Sequence, residues 1–137
     1  DDYLVDYKSL LPLFYQFVYD VVIFDCQIII HDIENSYHIN LTAQIGYLPY
    51  SSENKTRREQ ILKKISHLMV QGLITMDHHC KMKFPLSTVI SGKINAKIVM
   101  ETIFYTLLDV KEILKIIADT MQIKGLEKKR NFKEISA

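Results

Sequence analysis

Hydrophobic and polar positions change period along this chain. Over residues 37–47 they alternate strictly, with Tyr37, Ile39, Leu41, Ala43, Ile45 and Tyr47 on one side and His38, Asn40, Thr42 and Gln44 on the other. A period of two predicts a strand with one buried and one polar face. Residues 21–30 are β-branched and almost continuously apolar, which predicts a second strand, and the turn-like residues 32–36 make the two a hairpin. Upstream, residues 3–19 place Leu10, Leu11, Phe14, Phe17 and Val18 at helix-like spacing with Pro12 near the start. A short, mostly buried helix is expected there.

Residues 47–54, with Pro49 and two serines, interrupt the pattern and form the best internal boundary. Beyond it the period becomes helical. On a wheel of about 100° per residue, Ile61, Leu62, Ile65, Leu68 and Met69 share one sector, and Gln60, Lys63, Lys64, His67 and Gln71 the opposite one. Gly72 ends this helix. Residues 73–76 read as a strand, followed by the polar Asp77-His78-His79-Cys80 and an alternating Lys81, Met82, Lys83, Phe84, so a second hairpin is expected. Ser91 and Gly92 break the chain before two apolar helices, residues 96–108 and 110–121, and a tail over 124–137. The stripe Ile98, Val99, Met100, Ile103, Phe104, Leu107 is broad, mostly core, with part of it available as an interface. Together these elements predict an α+β fold in a single domain, 1–137. Its 1–50 subregion is a helix and a β-hairpin. Its 51–137 subregion is a winged-helix-like unit followed by two C-terminal helices.

Composition narrows the class. Hydrophobic residues are 48% and charged residues 24%, with four Gly and three Pro, which argues against a disordered chain. The longest apolar run, residues 18–30, is interrupted by Asp20 and Asp25 and is too short to span a membrane. A soluble protein without membrane contact is expected. The chain opens on Asp1 rather than Met, with no signal-peptide pattern, and reads as a piece of a longer protein in preference to a mature secreted one. A secreted ligand would use the sequons at Asn40 and Asn54 and a Cys26 to Cys80 disulfide. A domain with this much apolar content more usually keeps free thiols, which points to nucleus or cytoplasm.

Charge divides the chain. Residues 1–50 hold seven acids against one base, a net of −6, while residues 51–137 hold sixteen bases against nine acids, a net of +7. Lys55, Arg57, Arg58, Lys63 and Lys64 form the densest basic run and open the central helix. Such asymmetry points to a polyanion-facing or partner-facing second half. A helix, a glycine, a strand, a polar turn and a returning strand is the order of a winged helix, whose basic helix face or wing can neutralise phosphates. Arg57, Lys63, Lys64 and His67 on the helix, with Lys81 and Lys83 on the wing, are the candidate nucleic-acid contacts. The helix lacks the crowd of Arg, Asn and Gln that reads base edges, so contact would be independent of sequence.

No catalytic chemistry emerges. Phosphate-binding, dinucleotide-binding, nucleophile-elbow and zinc-protease motifs are missing from the sequence. Asp77, His78, His79 and Cys80 lack the paired spacing of a closed zinc site and read as a polar turn. His31 and His38 flank the first hairpin and can lie close in space. The expectation is a non-enzyme with no cofactor and no metal. The tail residues Lys128, Lys129 and Arg130 read as a solvated helix end or linker.

Residues 60–117 resemble the region that follows the motor domains in superfamily-two helicases of the meiotic-crossover and polymerase-theta-like kind. The likeness lies in Gln71-Gly72-Leu73-Ile74 at the helix end, the strand pair, and the run from Pro85 to Ile94 leading into an apolar helix. Those families place a Gly where Ser87 stands, and the likeness covers under half the chain. It implies a winged-helix and helical portion that guides a strand while ATP chemistry resides on another segment. The sequence reading is therefore an accessory or assembly module of a larger nucleic-acid-processing protein. It would contact phosphates of DNA or RNA and the other domains of a parent chain or complex. The rival is a protein-interaction or regulatory scaffold domain with no nucleic-acid binding.

Overall fold

The computed structural model describes residues 7–31 and 35–123. After a 3-10 turn at Tyr7–Leu10, three strands follow in meander: β1 (Leu13–Tyr19), β2 (Val22–Ile30) and β3 (Ser36–Tyr47). Helix α1 (Ser51–Val70) leads to the short β4 (Thr75–Met76), the long β5 (Lys81–Ser91), α2 (Ala96–Asp109) and α3 (Lys111–Met121). The strands form one antiparallel sheet in the order β1-β2-β3-β5-β4. The α+β class is as the sequence predicts, and so are the β2–β3 hairpin, α1 and the two C-terminal helices.

Strict alternation makes the sheet two-sided. Val22, Phe24, Cys26 and Ile28 of β2, the odd positions 37–45 of β3, and Met82, Phe84 and Ile90 of β5 face one side and are buried. Against them pack Ile61, Ile65 and Leu68 of α1, Val99, Ile103 and Leu107 of α2, and Leu114 and Ile117 of α3, all in one core cluster. The opposite sheet face carries Gln16, Asp25, Gln27, Asn40, Thr42 and Gln44 and has no helix over it among the described residues.

Two corrections follow. The expected helix over residues 3–19 is a 3-10 turn at Tyr7–Leu10 and a strand from Leu13 to Tyr19, because the aromatic and β-branched run pairs residue by residue with β2 from Leu13↔Ile28 to Tyr19↔Val22. Its start, residues 1–6, lies outside the described residues, as does the tail over 124–137. The strand expected at residues 81–84 continues to Ser91 and pairs with β3 from Ser36↔Ser91 to Tyr47↔Lys81. The helix, glycine, strand and turn order of a wing is present, but β5 has only a two-residue partner in β4 and is otherwise built into the sheet interior. One sheet thereby joins the acidic and basic subregions. Of the seven acids in residues 1–50, only Asp20 and Asp25 fall among the described residues.

Helix ends explain where α1 sits. Asn54 leaves helical geometry at φ −160, and its Oδ1 accepts the Arg57 N–H at 3.0 Å, capping the basic stretch that follows. At the other end Gly72, with φ +80, donates to Met69 O while Leu73 donates to Leu68 O. That paired arrangement is a Schellman close, which needs the left-handed residue that glycine supplies.

Candidate functional site

The six residues expected to meet phosphates fall in three places. Lys63, Lys64 and His67 are exposed on α1, on the side turned away from Ile61, Ile65 and Leu68 and hence away from the sheet. Arg57 is half-buried and donates from Nη2 to the Thr120 carbonyl at 2.6 Å, which ties α1 to the end of α3. Its neighbour Arg58 donates to the Pro49 carbonyl at 2.9 Å. Lys81 and Lys83 lie on β5, and both add to the electrostatic field on Asp25 of the open sheet face. Since α1 covers the other face of that sheet, the helix lysines and the strand lysines look out from opposite sides of the molecule.

The open sheet face holds the densest polar arrangement. Gln16 of β1 and Gln44 of β3 each donate a side-chain N–H to Asp25 of β2, both at 2.7 Å and on separate carboxylate oxygens. One strand pair further along the sheet, Ser87 Oγ donates to Asn40 Oδ1 at 2.9 Å and Asn40 Nδ2 donates to Gln27 Oε1 at 3.1 Å. The strand register dictates both clusters, because Gln16↔Asp25 and Gln27↔Asn40 are directly opposed pairs. Beside them runs a shallow open depression lined by Phe14, Gln16, Asp25, Gln27 and Thr42.

The Gln16 and Gln44 amides, helped by Lys83 and Lys81, hold the Asp25 carboxyl below the usual carboxylate range. Both its oxygens are already engaged. On the other face of the sheet, burial pushes up both the Cys26 thiol of β2 and the hydroxyl of its β1 neighbour Tyr15. A buried thiol with a raised pKa is a poor nucleophile. Cys26 and Cys80 are both free thiols. The Asp77–Cys80 turn is closed by Asp77 Oδ1, which accepts the backbone N–H of His79 at 2.8 Å and of Lys81 at 3.0 Å. His31 and His38 do come together, with their rings stacked at 4.3 Å.

The sequence reading made part of the α2 stripe available as an interface without saying which part. On α2, Val99, Ile103 and Leu107 take the core, whereas Met100, Phe104, Tyr105 and Leu108 remain exposed at 61%, 52%, 64% and 41%. They lie on successive turns of one helix side, and the Phe104 and Tyr105 rings meet edge to face at 5.9 Å. The breadth of the α2 stripe was its only sequence signal, since periodicity alone does not say which half of a broad stripe faces inward. No helix among the described residues is long and apolar enough to cross a membrane. No protein-family model matches the chain, and neither a curated protein nor a solved structure matches it.

Proposed function

We propose that this chain is a non-catalytic assembly module that works by docking protein partners. The observation that carries the reading is the exposed α2 side Met100, Phe104, Tyr105, Leu108, a set of large apolar side chains of the kind that anchors protein interfaces. The free thiols support a nuclear or cytoplasmic setting. A photo-crosslinking amino acid placed at Phe104 and, as a control, at Lys63 tests it in cells that make the protein. Discrete protein adducts from position 104 and none from position 63 are expected. Protein adducts absent from position 104 overturn it.

A second reading rests on α1, where Lys63, Lys64 and His67 stand exposed together. It keeps the module within a larger nucleic-acid-processing, helicase-like protein and gives that helix side sequence-independent contact with DNA or RNA phosphates. Fluorescence anisotropy of labelled single-stranded and duplex probes at two salt concentrations separates the readings. Docking through protein alone gives no binding at low salt. Phosphate contact gives binding that weakens steeply with salt and is lost in Lys63→Glu, Lys64→Glu.

A further inference from the structure

We infer that β1 is a self-association edge: two copies of this chain join β1 to β1 antiparallel about a two-fold axis at Gln16, making one continuous sheet. The interface is separate from α2, so it adds to the docking reading without depending on it.

The backbone sets the geometry. Asp20 and Val21, both at positive φ of 50 and 62, make the two-residue loop between β1 and β2, and Tyr19 pairs with Val22 across it. A loop of this type closes on a hydrogen-bonded pair. Bonded and non-bonded pairs then alternate along an antiparallel ladder. Leu13, Tyr15, Phe17 and Tyr19 thus turn their N–H and C=O toward β2, and Phe14, Gln16 and Val18 turn theirs to the free edge. Among the described residues nothing pairs with that edge.

An open edge is normally blunted by charge, proline, a bulge or shortness. β1 has none of these within its seven residues, Leu-Phe-Tyr-Gln-Phe-Val-Tyr. Each of those residues instead has an apolar counterpart, though not the same residue, at equal distance on the other side of Gln16. An antiparallel second copy centred there opposes Phe14 to Val18, Gln16 to Gln16 and Val18 to Phe14, and each of these is an outward-bonding pair. On the other face it opposes Leu13 to Tyr19 and Tyr15 to Phe17. That side is incompletely covered by the chain's own helices, since all four residues are only half-buried while their β2 partners are buried. Phe14 and Val18, at 63% and 42% exposed, gain cover on the open face. Asp25, which stands opposite Gln16 on the open face, does not oppose the pairing. The two Asp25 carboxylates would stand three strand spacings apart, roughly 14 Å, beyond the screening length of ordinary salt. Self-complementarity of this kind fits a second copy, where an unrelated extended peptide would need no two-fold pattern.

Sedimentation equilibrium of the full chain over a dilution series tests the inference, beside two variants, Phe14→Lys with Val18→Lys and Phe14→Glu with Val18→Glu. Both positions are exposed, so circular dichroism is expected to report intact folding. Wild type is expected to dimerise, and each variant alone to do so roughly tenfold or more weakly, since like charges face each other at the 14 to 18 pairs. An equimolar mixture of the two variants is expected to recover the dimer. Amide exchange at Phe14, Gln16 and Val18 is expected to slow with rising concentration. A wild-type monomer at every concentration overturns the inference, as does a dimer unaffected by either variant. So does protection of those amides that ignores concentration, which would place the chain's own residues on the edge. None of these outcomes bears on crosslinking at Phe104, so the two readings fail separately.

Discussion

Asp25 shows how a single side chain ties the sheet's open face to pH. Hydrogen bonds from Gln16 first and Gln44 second hold its pKa down in the folded state. A carboxylate lowered on folding contributes stability above its unfolded pKa of about 3.9 and loses that contribution as pH falls through the folded value. Asp25→Asn is therefore expected to cost about 1 kcal/mol at neutral pH, allowing for solvent screening at an open face. The cost should shrink as pH falls through the folded value, and urea titrations at neutral pH and at successively lower pH measure the loss. Backbone strain makes a second residue informative. Val21, β-branched at φ 62, occupies a left-handed conformation that suits glycine. Val21→Gly is expected to raise the urea midpoint, with a gain of about 1 kcal/mol. Gly46 stands at φ +109 where the β3–β5 register slips, and an added Cβ would sit 3.4 Å from Met121 Cε. Gly46→Ala is expected to cost about 2 kcal/mol, read in the same titration. This bulge also re-aims Tyr47, which the alternation puts beside Ile45 but which is exposed. Alternation carries no warning of a slipped register, although a glycine inside a strand pattern is its usual mark.

Among the elements, those with one clean period were legible. β3 alternates, α1 keeps Ile61, Ile65 and Leu68 on one side, and both were readable to within a few residues of their ends. β1 was not, because nearly every position in it is apolar and a period of 2 fits as well as 3.6. Phe14, Phe17 and Val18 look like a helix stripe, while Leu13, Tyr15, Phe17 and Tyr19 form an alternating row. Aromatic and β-branched content, together with β2 across a two-residue loop, decides for the strand. The basic run on α1 was legible as charge but not as structure. Asn54 caps it and Arg57 is spent on the Thr120 carbonyl, contacts that depend on where α3 ends. Asn54→Ala is expected to lower stability by about 1 kcal/mol through loss of the cap, with the change appearing in thermal melts followed at the helix band.

At the scale of the molecule, net charge along the sequence proved a poor map of charge in space. Lys63 and Lys64 look away from the helical layer while Lys81 and Lys83 lie beside Asp25 across the sheet, a separation that needs the β3–β5 pairing and so cannot be seen in spacing. The same pairing makes the Pro49 region a connection inside one sheet. Residues 1–50 made alone are expected to lack a dispersed amide spectrum, and addition of residues 51–137 to restore it, because β3 otherwise presents a long unpaired rim. Synthesis on the ribosome meets that situation every time. The three-stranded meander leaves the exit tunnel first, and β3 must then wait for α1 and β4 to emerge before β5 can dock along it. During that interval the β3 rim of the nascent meander is bare, and so, among the described residues, is the neutral and aromatic β1 rim. Neighbouring chains on a polysome are thus brought together while each still has two edges to offer, which makes the order of translation, as well as the finished surface, a determinant of how copies meet.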